Sequence, residues 1–87
     1  MGLETVELLM DLEDYFHVEV PDAAACITVA DLQHVIVDLL VAQGRRRDAL
    51  LEQEVWDGMM SVLVKNRIAV AQVRADSKWV GDITRWG

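Results

Sequence analysis

The chain has 87 residues, of which 53% are hydrophobic and 26% charged, with a formal net charge of −7. These values fit a single folded domain near the lower size limit for an independent core, and they exclude a long disordered protein. No apolar run reaches the roughly 18 residues that a membrane-spanning helix needs. The chain has one cysteine, Cys26, and no visible secretion signal, so a reducing cytoplasm is the expected location.

The charges are distributed unevenly along the chain. Residues 1–44 hold nine acidic residues and no Lys or Arg, whereas residues 45–87 hold eight basic and six acidic residues. A lopsided acidic field favours a basic protein partner and disfavours nucleic acid. The three arginines Arg45, Arg46 and Arg47 are too few, in so acidic a protein, to indicate a nucleic-acid surface.

The first predicted helix runs from Gly2 to Phe16. Its apolar residues recur at three- and four-residue spacing: Leu3, Val6, Leu9, Met10, Leu12 and Phe16. The helix is predicted to stop near His17, because residues 18–20 are extended in character and Pro21 disfavours a helical residue before it.

A second long helix is predicted from Val29 to Gln43. Thr28 is expected to cap it, with Asp31 forming an imperfect capping box, and Gly44 is expected to end it. Its apolar stripe consists of Val29, Leu32, Ile36, Leu39 and Leu40. The residues before it, 21–26, are compatible with one or two short helical turns that begin at Pro21.

The third long helix is predicted from Asp48 to Arg67, after a polar surface connection over residues 45–49. Its apolar face consists of Leu51, Val55, Met59, Val62, Leu63 and Ile68. Gly58 is expected to be a weak point in its middle, because glycine has low helix propensity. Residues 70–87 are predicted to form an ordered loop, held by Val73, Trp79, Val80 and Ile83, with Trp86 as a further candidate.

The first half of the chain carries a motif resemblance. Residues 3–10 (LETVELLM), 12–13 (LE) and 20–22 (VPD) resemble the second helix and following loop of acyl carrier proteins. Residues 27–32 (ITVADL) resemble the start of the last helix of that family. The order and spacing of these motifs match the family over about half of the chain.

The second half resembles the same family less closely. Residues 55–67, followed by Ile68, Val73, Ser77, Trp79, Val80, Asp82 and Ile83, resemble the first helix and long loop of a carrier protein. The resemblance therefore implies an all-α, acyl-carrier-like four-helix bundle with permuted helix order: second, third, fourth, first. Residues 1–44 would supply helices two to four, residues 45–49 a new connection, and residues 50–87 helix one and its loop. Such a permutation is physically reasonable because domain termini lie at the surface and are often close together. Closure within one chain and a helix-swapped dimer both remain open.

The resemblance also implies a site for a prosthetic group, and this chain lacks its central residue. Carrier proteins bear phosphopantetheine on a serine immediately before the leucine that Leu3 matches, and here that position is Gly2. The two serines of the chain, Ser61 and Ser77, do not match it. We therefore expect no cofactor. The alternative is a genuine acyl or peptidyl carrier, modified at an atypical residue or completed by a serine from another chain.

The candidate partner-binding residues are the acidic positions of the first helix: Glu4, Glu7, Asp11 and Asp14. The resemblance implies that they dock on a basic patch of an acyl-handling enzyme, in fatty acid or polyketide biosynthesis. The competing interpretation is a solvated helix face that only confers solubility on a structural subunit. We expect no enzyme, because the sequence shows no nucleophile–base pair, phosphate loop or metal motif, and no dedicated metal site.

The other candidate residues receive structural interpretations. His17 is expected to cap the first helix and His34 to lie on the surface. Cys26 is expected to be a small buried apolar residue. Trp56 is expected to cover the end of the bundle, whereas Trp86 either closes the arm site or anchors a partner.

Overall fold

The computed structural model of the chain describes residues 3–20, 28–68 and 70–78, with side chains described from residue 7 onward. Within these ranges the protein is all-helical: α1 covers Leu3–Phe16, α2 covers Val29–Ala42 and α3 covers Ala49–Lys65. A short 3-10 turn follows at Val70–Gln72. The three long helices are thus confirmed, and their ends lie within two residues of the predicted ones. None of the described helices is long and apolar enough to cross a membrane.

The central helix is α3, because α1 and α2 both pack against it. The core of the described part comprises Leu8, Leu9, Leu12 and Phe16 of α1; Val29, Leu32, Ile36, Val37 and Leu40 of α2; and Leu51, Val55, Met59, Val62 and Leu63 of α3. Burial of each such side chain contributes about 1.5–3 kcal/mol to folding. The predicted apolar faces of α2 and α3 therefore fold inward with one correction: Leu39 and Ile68 are only partly buried, whereas Val37, which was not predicted, is buried.

Met10 is a correction to the predicted apolar face of α1. Its side chain is 56% exposed, although its sequence spacing placed it with the buried residues. At 3.6 residues per turn, Leu8 and Leu12 define one side of α1 and Met10 falls on roughly the opposite side. The stripe that packs on α3 instead includes Leu8, which the periodicity had not selected.

Gly58 has a packing role in α3 that its low helix propensity does not reveal. A Cβ atom at this position would lie 2.5 Å from Cζ of Phe16 and 2.7 Å from Cε1 of Tyr15. The absence of a side chain therefore lets the end of α1 approach the backbone of α3. The expectation of a weak point described only the local cost of the glycine and missed this contact.

The N-termini of α2 and α3 are capped by side chains. Thr28 Oγ1 accepts from the Asp31 amide at 3.1 Å, and Asp31 Oδ2 accepts from the Thr28 amide at 3.0 Å. This is a complete capping box, better than the imperfect one that the sequence predicted. Asp48 caps α3, because its Oδ1 accepts from the Leu51 amide at 2.8 Å.

All three helices end in a Schellman motif, in which the amide two residues beyond the helix cap bonds a carbonyl of the last turn. These bonds are Val18 N–H to Glu13 O, Arg45 N–H to Leu40 O, and Ile68 N–H to Leu63 O, at 3.1, 3.0 and 2.9 Å. The preceding residue has a positive φ in each case: 55° at His17, 100° at Gly44 and 65° at Arg67. His17 and Gly44 therefore end their helices as predicted, and one position of the three uses glycine.

The segment after the 3-10 turn returns to the start of α2. The amides of Val29 and Ala30 donate to the carbonyls of Ser77 and Ala75, both at 2.9 Å. Thr28 and Lys78 form an isolated antiparallel bridge beside them. This part of the predicted ordered loop is confirmed, and Val73 packs partly against the core. The predicted roles of Trp79, Val80, Ile83 and Trp86 lie outside the described residues, as do the helical turns at 21–26.

Candidate functional site

The periodicity of α1 sorts its polar residues onto two sides. Glu7, Met10 and Asp14 follow one another at three- and four-residue spacing and form the side away from the core. Asp11 and Tyr15, four residues apart, lie on the flank that faces α3, where both line the groove between the two helices. Glu4 lies in the first turn of α1 as predicted, and its side chain is outside the described part.

The outer side of α1 combines exposed carboxylates with an exposed apolar side chain. Glu7 and Asp14 are exposed, and Met10 between them is 56% exposed. Neither carboxylate forms a salt bridge or hydrogen bond with any other described residue. We call Glu7, Met10 and Asp14 the acidic face. An apolar centre within a charged rim is the usual composition of a protein docking surface.

Asp11 differs from the other predicted docking residues because it ties α1 to α3. Its side chain is half-buried, and its Oδ2 accepts from Asn66 Nδ2 at 3.1 Å. Asn66 is the C-cap of α3, and its Nδ2 also donates to the Val62 carbonyl at 2.8 Å. Asp11 therefore has a structural role in addition to its charge. Local sequence patterns cannot reveal this bond, because its partners are 55 residues apart.

The last turn of α1 holds acidic residues where the helix dipole disfavours them. Glu13 and Asp14 stand in that turn, which contains no basic residue. Glu13 has a local use, because its Oε2 accepts from the Val20 amide at 2.8 Å and holds the extended segment. Asp14 makes no comparable bond with the described residues, so no internal contact accounts for its position.

A shallow open groove of about 930 Å³ continues this negative surface around the ends of α1 and α2. Asp14, Glu19 and Leu39 are among its lining residues, and none of the described residues that line it is Lys or Arg. The groove is braced by Gln43 Nε2, which donates to the His17 carbonyl at 2.8 Å. His17 thus acts as a helix-ending residue, as predicted, and His34 is exposed as predicted.

Tyr15 is a site residue that sequence reasoning missed. It is 54% exposed and lines a second groove, of about 450 Å³, between α1 and α3. Asp11 and Asp14 border this groove on α1, and Ser61 and Lys65 border it on α3. The available signal was an aromatic residue outside the apolar stripe, next to three acidic residues in five positions.

The three consecutive arginines do not form a basic binding patch. Arg45 Nη2 donates to both carboxylate oxygens of Glu54, at 3.0 and 2.9 Å, and Arg47 pairs with Asp38. All three arginines are exposed, which confirms the prediction of a charged surface connection. The two ion pairs fix this connection against α2 and α3.

Both serines make local hydrogen bonds to the backbone. Ser61 lies inside α3 and its Oγ donates to the Asp57 carbonyl at 3.0 Å. Ser77 Oγ accepts from the Arg74 amide at 2.9 Å in the loop on α2. Gly2, at the position that the sequence resemblance assigns to the carrier serine, and Cys26 lie outside the described residues. No group of three or more possible metal ligands occurs in the described part of the chain.

Trp56 lies near the middle of α3, partly buried and packed against the core, so its predicted position at the end of the bundle stays a prediction. The candidate site therefore consists of the acidic face of α1 and the groove between α1 and α3. Comparison with known proteins adds no assignment, because no family model, curated protein or solved structure matches this chain.

Proposed function

We propose that this chain is an acyl-carrier-like module that docks on acyl-handling enzymes through the acidic face of α1 and carries no phosphopantetheine arm. The proposal rests on the exposure of Glu7 and Asp14 and on their lack of an ion pair with any described residue. Both carboxylates are exposed beside Met10, and no described basic residue forms an ion pair with either one. A basic patch on a partner would supply that neutralisation and cover the apolar centre.

The packing of the helices supports the permuted four-helix order that the motifs imply. α3 lies between α1 and α2 and contacts both, so the segment assigned as the family's first helix belongs to the same core. The chain after α3 crosses back to the start of α2. The described part of the long loop, residues 70–78, therefore stays within the domain, as a permuted single-domain bundle requires.

The surroundings of the serines support a module without an arm. Ser61 Oγ donates to a carbonyl of its own helix. Ser77 Oγ accepts from the Arg74 amide, and the Ser77 carbonyl accepts from the Val29 amide at the start of α2. Neither lies at the start of a helix next to the acidic face. Residue 2, at the position that the resemblance assigns to the modified serine, is a glycine.

Docking is tested by direct binding to a panel of purified acyl-transferring enzymes. The double variant Glu7→Lys/Asp14→Lys should lower affinity at least about tenfold, because reversing rim charges repels a basic partner and slows association. The matched control is Glu52→Lys/Asp76→Lys, which changes the net charge equally at exposed sites away from α1. Affinity that is unchanged in the first variant, or lost equally in both, would refute docking through the acidic face.

The missing arm is tested separately by intact mass. The purified protein is weighed before and after incubation with coenzyme A and a broad-specificity phosphopantetheinyl transferase. An unchanged mass is the expected result. A gain of one phosphopantetheine would contradict it and establish a genuine carrier, whose modified residue peptide mapping would then locate.

A further inference from the structure

Tyr15 is an exposed aromatic side chain held in a defined position. Its ring centroid lies 4.9 Å from that of Phe16, at an interplanar angle of 72°, and Phe16 is buried. Its Cε1 atom also lies close to the backbone of α3 at Gly58. The ring is therefore braced on two sides while the residue remains 54% exposed. An aromatic side chain that is already ordered loses little entropy when a partner covers it.

Two carboxylates accompany this ring in the groove between α1 and α3. Asp11 precedes Tyr15 by one helical turn, and Asp14 is its neighbour in sequence. Asn66 occupies Oδ2 of Asp11, whereas Asp14 has no described hydrogen-bond partner. Lys65 stands at the opposite rim, so the two carboxylates outnumber the one cation that lines the groove.

We propose that this groove receives an arginine side chain of the protein partner, with the guanidinium on the Tyr15 ring and bonded to Asp14. The inference rests on the proposed docking function and names the partner's contact residue. Arginine suits the groove better than lysine, since its planar guanidinium stacks on an aromatic ring and bonds a carboxylate through two N–H groups. Lysine offers a compact charge that gains less from the ring.

The test uses two synthetic helical peptides as probes. One carries arginines at four-residue spacing around a single leucine, and its twin carries lysine at every arginine position. Binding to the full chain is followed by amide NMR shifts and by affinity. The arginine peptide should bind about three- to tenfold more tightly than its twin, the range expected for a partly desolvated cation–π contact. Its shifts should centre on Asp11, Asp14 and Lys65.

Substitutions at two positions separate the ring from general acidity. Tyr15→Ala should abolish the preference for arginine, whereas Tyr15→Phe should keep it, because phenylalanine retains the aromatic face. Lys65→Gln should tighten binding of both peptides, because it removes the competing cation. Thermal unfolding of each variant checks that the fold is intact, and the exposure of both side chains makes large losses unexpected.

The possible results distinguish this inference from the proposed function. If both peptides bind equally and Tyr15→Ala has no effect, the arginine site is refuted, while enzyme docking through Glu7 and Asp14 stands or falls on its own assay. If neither peptide binds, or if the shifts avoid the groove, the inference is refuted as well. If the arginine preference appears but no enzyme of the panel binds, the groove assignment holds and the acyl-enzyme partner is refuted.

Discussion

The acidic face of α1 and the arginine connection at residues 45–47 are both clusters of exposed charge, yet the fold treats them differently. Arg45 and Arg47 are paired with Glu54 and Asp38 of the neighbouring helices. Glu7 and Asp14 have no basic partner among the described residues. The pairing of the charges therefore distinguishes the two regions.

The comparison shows where charge stabilises the domain and where it remains available to a partner. The connection uses its cations to hold the junction of α2 and α3. The acidic face is the side of α1 that points away from the core, and Asp14 stands in the last turn, where the helix dipole disfavours anions. A docking role explains this placement better than solubility does, because carboxylates elsewhere on the surface would serve solubility equally well.

The largest effect on stability is expected from Gly58→Ala, at the position where α3 contacts the end of α1. Helix propensity alone predicts that this change stabilises α3 by about 1 kcal/mol. The new Cβ would instead overlap the rings of Phe16 and Tyr15, and such overpacking costs about 1–3 kcal/mol. We expect a net loss of up to about 2 kcal/mol in the free energy of unfolding, measured by urea denaturation.

A second variant checks the cause of that loss. Phe16→Leu in the Gly58→Ala background shortens the ring that meets the new methyl group. The double variant should lose less than the sum of the single losses. A stabilised Gly58→Ala protein, or additive losses, would mean that α1 does not rest on α3 through this glycine.

The next largest effect on stability is expected at Gly44, which ends α2 just before the arginine connection. Gly44→Ala places a side chain at a φ of 100°, a conformation that costs an L-residue about 1–2 kcal/mol. Part of this loss is offset by lower entropy of the unfolded chain, so a net loss of about 1 kcal/mol is expected. His17→Gly is the matched reverse change at the end of α1 and should stabilise by about 0.5 kcal/mol. If chemical denaturation showed that both substitutions stabilise or both destabilise the protein, the ends of α1 and α2 would not share a Schellman geometry.

The ion pairs of the connection should contribute little individually. Arg45→Ala and Arg47→Ala should each lower stability by about 0.5 kcal/mol, because both pairs are exposed and partly screened. The loss should diminish in 1 M salt. Arg46→Ala, which removes an arginine with no described partner, is the control and should be neutral. If Arg46→Ala lowered stability as much as the changes at Arg45 and Arg47, ion pairing would not explain the losses at those two positions.

Local sequence patterns predicted much of this fold. The helix limits followed from apolar spacing together with Pro21, Thr28 and Gly44, whose effects depend on their near neighbours along the chain. Most of the inward-facing residues of α2 and α3 were predicted for the same reason, although Val37 was missed. The exposure of Met10 was missed because the residues of α1 fit more than one apolar stripe.

The features that sequence could not reveal depend on contacts between distant segments. Gly58 was judged by its propensity alone, since nothing local shows that Phe16 would lie against it. The bond between Asn66 and Asp11, and the groove at Tyr15, require knowledge of how α1 meets α3. The predicted docking residues could therefore be chosen by charge but not divided into structural and free carboxylates.

The smallest predicted effect bears most directly on the comparison, and it concerns Asp14. Asp14→Asn removes a negative charge from the last turn of α1, where it opposes the helix dipole and repels the nearby Asp11 and Glu13. Stability should therefore rise by about 0.3 kcal/mol, the low end of the range for an exposed charge at a helix end. Differential denaturation of the two proteins in one titration series can resolve such a shift. The same substitution should weaken binding to any enzyme that the acidic face recognises.

These opposite signs separate function from structure at one side chain. A residue kept for the fold loses stability when it is neutralised, as Asp11→Asn should through its bond to Asn66. A residue kept for a partner loses affinity while the free protein becomes slightly more stable. If Asp14→Asn destabilised the chain and left enzyme binding unchanged, Asp14 would belong with the paired charges of the connection. The acidic face would then keep Glu7 as its one free carboxylate among the described side chains, and the docking proposal would have to be given up.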